Sequence, residues 1–82
     1  MFELYTDVIL LSDVPEDGLK AGDIGTVVEQ HNVPSKEPGY SVEFFDLLGA
    51  TVAVATVPES CLRSPAHADR PSVRTLAGAH SV

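Results

Sequence analysis

The sequence predicts an all-β fold, a small closed barrel of five strands, and three observations lead to it. Turn formers divide residues 1–64 into short apolar runs, each of strand rather than helix length. Several runs alternate apolar and polar residues, which is the period of a half-buried strand. At the centre, Gly22-Asp23-Ile24-Gly25-Thr26-Val27-Val28 reads as a Gly-Asp turn entering a strand, with a second glycine just inside it.

The elements follow in order. Met1–Thr6 is a lead-in whose Phe2 and Leu4 are expected to fold back onto the barrel. Asp7–Leu11 is the first strand, with Val8 and Leu10 inward; its other face is also apolar and should be partly covered. Ser12–Asp23 is a long connection in which Pro15 and Gly18 prevent regular structure, while Val14 and Leu19 tuck it over one barrel end. Ile24–His31 is the second strand. Ile24 and Val27 cannot share a face under strict alternation, so a bulge or sharp coil is expected at Gly25, bending the sheet toward closure.

After a loop through Pro34, Pro38 and Gly39, Tyr40–Phe44 alternates cleanly, with Tyr40, Val42 and Phe44 inward. Phe45–Gly49 makes a hairpin with Asp46 and Gly49 as its turn residues. Ala50–Val57 is the fourth strand, with Val52 and Val54 expected inside and Ala53 and Ala55 outside. Pro58–Cys61 is one helical turn, and Leu62–Ser64 is a brief last strand pairing with the first. Residues 65–82 show no sustained periodicity. They are expected to form a flexible tail, with Ser72–Ala77 at most a marginal helical turn.

At 82 residues the chain is one domain with a small core, so each inward position carries weight. Hydrophobic residues make up 44%, too many for a disordered chain. The net charge is −7, and it is unevenly placed. Residues 1–64 hold eleven acids against Lys20, Lys36 and Arg63, a net of −8; residues 65–82 hold Asp69 against Arg70 and Arg74, a net of +1. Without a basic cluster to displace phosphate counterions, nucleic acid is not the expected partner. A basic protein surface suits the charge better. The single cysteine, Cys61, excludes an internal disulfide. No apolar run reaches membrane-spanning length, and Glu3 stands where a signal peptide carries positive charge. A cytoplasmic protein away from membranes is expected.

The combined pattern also carries a resemblance. Asp7-Val8-Ile9-Leu10-Leu11, Gly18-Leu19-Lys20-Ala21-Gly22-Asp23-Ile24-Gly25-Thr26-Val27-Val28, Tyr40-Ser41-Val42-Glu43-Phe44-Phe45-Asp46 with Gly49, and Thr51-Val52-Ala53-Val54 together resemble a bacterial family of short proteins known only as a domain of unknown function. The resemblance covers roughly residues 4–64 and implies an SH3-like barrel. The Gly-Asp-Ile-Gly-Thr-Val-Val portion is also similar to ribosomal and transcription-factor KOW barrels, to the SH3-like half of the nitrile hydratase β subunit and to small photosynthetic barrel subunits. The family implies no catalytic residues.

The chemistry-bearing residues are few and scattered. His31, His67 and His80 have no ligand partner at metal-binding spacing and read as exposed imidazoles. Cys61 lacks a sequence-adjacent base and reads as a small core residue. Glu43 and Asp46 flank Phe44 and Phe45 but fall on a strand face and a turn, where carboxylates stay solvated. Asp13, Glu16, Asp17 and Asp23 share one loop without the spacing of a calcium site. No phosphate loop, dinucleotide fingerprint or Ser-His-Asp order is present, so no cofactor or enzymatic role is expected. A barrel of this size is also expected to lack a cleft that encloses a substrate.

One surface stands out. With Phe44 inward, Phe45 points outward beside Leu47 and Leu48, an apolar patch that usually marks an interface. The expectation is a non-catalytic interaction module or small accessory subunit that binds a protein partner through Phe45, Leu47 and Leu48. Asp13, Glu16 and Asp17 would form an acidic rim, and the tail would order on the partner. Self-association remains open. An antitoxin or immunity-type protein neutralising a basic enzyme is the alternative, and a KOW-type RNA binder is disfavoured by the charge.

Overall fold

A computed structural model describes residues 1–75 of the chain. Five strands form one antiparallel sheet: β1 (Asp7–Leu10), β2 (Ile24–His31), β3 (Gly39–Phe45), β4 (Thr51–Pro58) and β5 (Leu62–Arg63), in spatial order β4-β3-β2-β1-β5. Two 3₁₀ turns, Pro15–Asp17 and Glu59–Cys61, are the only helical pieces among the described residues. The sheet curls around a single core of Val8, Leu10, Leu19, Val27, Tyr40, Val42, Phe44, Ala55, Val57 and Leu62. β5 pairs with β1 as expected, Ile9 opposite Arg63 and Leu10 opposite Leu62. The outer strands β4 and β5 do not pair with each other. The barrel-like shape is therefore sealed at that seam by side chains of the shared core and by the Glu59–Cys61 turn, not by a hydrogen-bond ladder.

Most inward positions follow the alternation. Val8, Leu10, Tyr40, Val42 and Phe44 are buried, and Ile9 on the other face of β1 is covered as well. Val14 and Leu19 clasp the base of the long loop through paired backbone hydrogen bonds of 2.9 and 3.1 Å, which drops Leu19 into the core. Phe2 packs edge-on against Tyr40, with ring centroids 5.3 Å apart. Its amide donates to the Tyr40 hydroxyl at 3.0 Å, and that hydroxyl donates to Glu59 at 3.3 Å. Leu4, in contrast, stays exposed.

Two expectations are corrected. Gly25 carries no bulge: it pairs regularly with Val8 on one side and Phe44 on the other. The irregularity of β2 comes three residues later, between Val27 and Glu29, where Val28 is the extra residue, and a second register shift makes Val52 the extra residue of β4. Beyond Val28, Glu29 lies opposite Ser41 and Gln30 opposite Tyr40. Gly25 and Val27 both face in and Ile24 faces out, so the alternation that seemed broken is intact. The glycine is there for space. A β-carbon at position 25 would lie 2.5 Å from Val42 Cγ1 and 2.9 Å from the Glu43 carbonyl oxygen, closer than real packing allows.

The second correction concerns β4. Ala53, Ala55 and Val57 face the core, and Val52, Val54 and Thr56 face outward. Ala53 and Ala55 lie opposite Phe44 and Val42. Large side chains on β3 fill the interior there and leave room only for methyl groups from β4.

Candidate functional site

The hairpin between β3 and β4 is built as its residues dictate. Asp46 Oδ1 accepts the amides of Leu48 and Ala50, both at 2.9 Å, and the Gly49 amide donates to the Asp46 carbonyl at 3.1 Å. Gly49 takes a φ of +88°, which suits the only residue without a β-carbon. This tight turn thrusts Leu47 and Leu48 into solvent, 85% and 94% exposed, with Phe45 44% exposed at their base.

Phe45 and Leu47 do not stand alone. Together with Ile24 and Val52 they line an open groove of about 460 Å³. The second half of the long loop, Leu19–Asp23, forms another wall, and residues 71–74 form a third. The groove is open rather than enclosing, and the segment after the barrel supplies one of its walls. Residues 65–75 contain no helix or strand, but they are tethered. Arg63 holds Asp69 with two hydrogen bonds of 2.8 and 2.6 Å, and the Ala66 amide donates to the same carboxylate at 2.6 Å. Arg74 Nε donates to Asp23 Oδ1 at 3.1 Å, and Nη2 reaches both Asp23 Oδ2 and the Gly18 carbonyl. Ser72–Thr75 form no helical turn; Leu76 and Ala77 lie outside the described residues.

These contacts reshape the electrostatics. Burial pushes the Asp23 carboxyl up, but hydrogen bonds from the Arg74 side chain and the Lys20 amide outweigh it and hold the group below the usual carboxylate range. Asp13 Oδ1 accepts the Ala21 amide at 2.8 Å and so works as a loop clasp. Glu16 and Asp17 sit on the exposed 3₁₀ turn, where neither side chain has a hydrogen bond or ion pair among the described residues. The groove is not lined by Asp13, Glu16, Asp17 or Leu48. The expected acidic rim, Asp13, Glu16 and Asp17, is exposed and stands beside the groove rather than lining it. At the groove itself Lys20 and Arg74 face Asp23 and Asp46, and charge is balanced.

Sequence reasoning missed Ile24 and Val52 as part of this surface. Ile24 was hidden by the bulge expected at Gly25, and Val52 by the facing error on β4. It also missed a chain of hydroxyls across three strands. His31 Nε2 meets Ser41 Oγ at 2.8 Å, and Ser41 Oγ lies 3.2 Å from Thr56 Oγ1. Glu29 approaches the same ring nitrogen, Nε2, at 3.7 Å. A carboxylate that orients a catalytic imidazole acts on the opposite nitrogen from the nucleophile, so this array does not have triad geometry. It links β2, β3 and β4 on the outer face. Among the described residues no three His, Cys, Asp or Glu side chains converge as a metal site; His80 lies outside them. Cys61 is half-buried against the core. No helix among the described residues is long and apolar enough to cross a membrane.

Fold and site together define a small all-β, barrel-like domain with an apolar groove at one end. The chain belongs to the family described as a domain of unknown function, DUF4926, whose match covers residues 4–64, most of the chain. No curated protein and no solved structure matches it.

Proposed function

We propose that this protein is a non-catalytic interaction module, or a small accessory subunit of a larger assembly, that docks a protein partner in the groove between the β3–β4 hairpin and the long loop. The observation that carries the reading is the apolar patch of Phe45, Leu47, Leu48, Ile24 and Val52, left in water on a chain of 82 residues. Exposed leucines at the tip of a rigid turn are poised to enter a partner's pocket at low entropic cost. The net charge of −7 favours a partner with a basic rim, which speeds encounter without specifying the contact.

The test is affinity capture from a lysate of the source cells with the wild-type chain and with a Phe45→Ser/Leu47→Ser variant. A partner held by the wild type and lost by the variant is expected. Identical captured sets would overturn the reading.

A further inference from the structure

We propose that two copies of this chain pair antiparallel through the free edge of β4, about a twofold axis at Val54. This goes beyond the groove reading and does not depend on it.

The backbone specifies which groups are available. The Val27 amide donates to the Thr6 carbonyl at 2.9 Å, and the Val27 carbonyl accepts the Tyr5 amide at 2.6 Å. Both backbone groups of Val27 therefore face away from β3. In an antiparallel ladder, its partner Val42 must then turn its own N–H and C=O toward β4, where it lies opposite Ala55. By alternation Ala53, Ala55 and Val57 bond β3, and Val54 and Thr56 aim theirs at the open edge. Among the described residues no backbone hydrogen bond joins Thr51–Val57 to any segment but β3.

The edge is protected only at its two ends, by the register shift at Val52 and by Pro58. Thr51–Pro58 contains no charged residue, and Val54 is 55% exposed. The opposite edge, β5, has only two residues.

The occupant follows from the sequence of the strand. An antiparallel pair centred on Val54 sets it against Val54 of the partner subunit. Ala53 then meets the partner's Ala55, and the regular pairing ends at the register shift on Val52. These regular pairs match β-branched with β-branched and alanine with alanine, the pairing that sheets favour. The same register sets the free N–H and C=O of Val54 against those of the partner's Val54. A basic peptide would find no carboxylate on β4 to select it. The nearest acid beside Val54, Glu43, lies on β3 and accepts a hydrogen bond from Thr51 Oγ1. Two such carboxylates would sit three strand spacings apart, roughly 14 Å, beyond the screening length of about 8 Å at physiological salt. The contact is isologous and leaves only the short β5 edges outside, so assembly stops at the dimer.

The test is sedimentation equilibrium of the full chain at low and high salt, joined to amide hydrogen exchange. The wild type is expected to reach twice the chain mass, more readily at high salt because like net charges are screened. Exchange at Val54 should slow at least tenfold as concentration rises, with Ala53 and Ala55 unchanged. Val54→Lys should stay monomeric, Val54→Thr should still dimerise, and Leu47→Ser, which alters the groove, should dimerise like the wild type. A wild type that remains monomeric at millimolar concentration overturns the proposal. So does a dimer that survives Val54→Lys or leaves Val54 exchange unchanged, or protection of Val54 that requires an added basic peptide.

Discussion

Arg74 closes on Asp23 across 51 residues of chain, its Nε 3.1 Å from Asp23 Oδ1. The contact joins the segment after the barrel to the turn that starts β2, and it sets one wall of the groove. In the sequence Asp23 reads as a turn residue and one of four loop acids, and Arg74 as one of two bases in an aperiodic tail.

Arg74→Ala should release residues 70–75 from the groove while leaving the barrel folded. The pair is partly exposed, and such pairs contribute about 0.2–1 kcal/mol, too little to unfold a domain. Limited proteolysis is the measurement: cleavage near Arg70 should accelerate in the variant, with the denaturation midpoint almost unchanged. Equal cleavage rates would show that the pair does not hold the segment.

Acid should have the same effect. The two hydrogen bonds from Arg63, helped by the Ala66 amide, draw the Asp69 carboxyl down to about 2. Asp23 is likewise held below its ordinary value by Arg74 and Lys20, against the opposing effect of burial. A carboxylate with a lowered pKa binds fewer protons when docked than when free. The attachment is therefore complete above the ordinary value of 3.8 and is lost as pH falls toward 2. Exchange or proteolysis of residues 65–75 followed from pH 6 to pH 2 should show release only below about 4. Release near neutral pH would assign the tether to other groups.

Gly25→Ala should destabilise the barrel by roughly 1–3 kcal/mol, the usual cost of forcing an extra carbon into a packed core. One of the opposing atoms is the Glu43 carbonyl oxygen, which cannot rotate away as a side chain would. Urea denaturation measures the loss. A neutral result would mean that β2 and β3 separate more readily than their register implies.

The facing of β4 is testable with one pair of substitutions. Ala55→Leu places a large side chain against Val42 and should cost about 1–3 kcal/mol. Val54→Thr, one position away on the outer face, should stay within about 0.5 kcal/mol of the wild type. The reverse order of effects would place the valines inside.

The strands, their order and most of their inward residues were readable from the chain. Tyr40, Val42 and Phe44 alternate with polar residues, and Asp46 and Gly49 specify a turn through their own local chemistry. Such features depend on neighbours in sequence. The β4 error arose because both of its faces are apolar, so hydrophobicity cannot choose between them. Volume chose: the aromatic and branched side chains of β3 left space for alanine and not for a second row of valines.

The same distinction runs through the whole molecule. Period, turn chemistry and composition are local, and they specify an acidic five-strand barrel with an exposed hairpin tip. Which glycine is packed and which residue bulges, where Arg74 finds its carboxylate, and that Ile24, Phe45 and Val52 share one groove are properties of distances between remote segments. They arise only when the sheet curls and opposing side chains compete for one small interior.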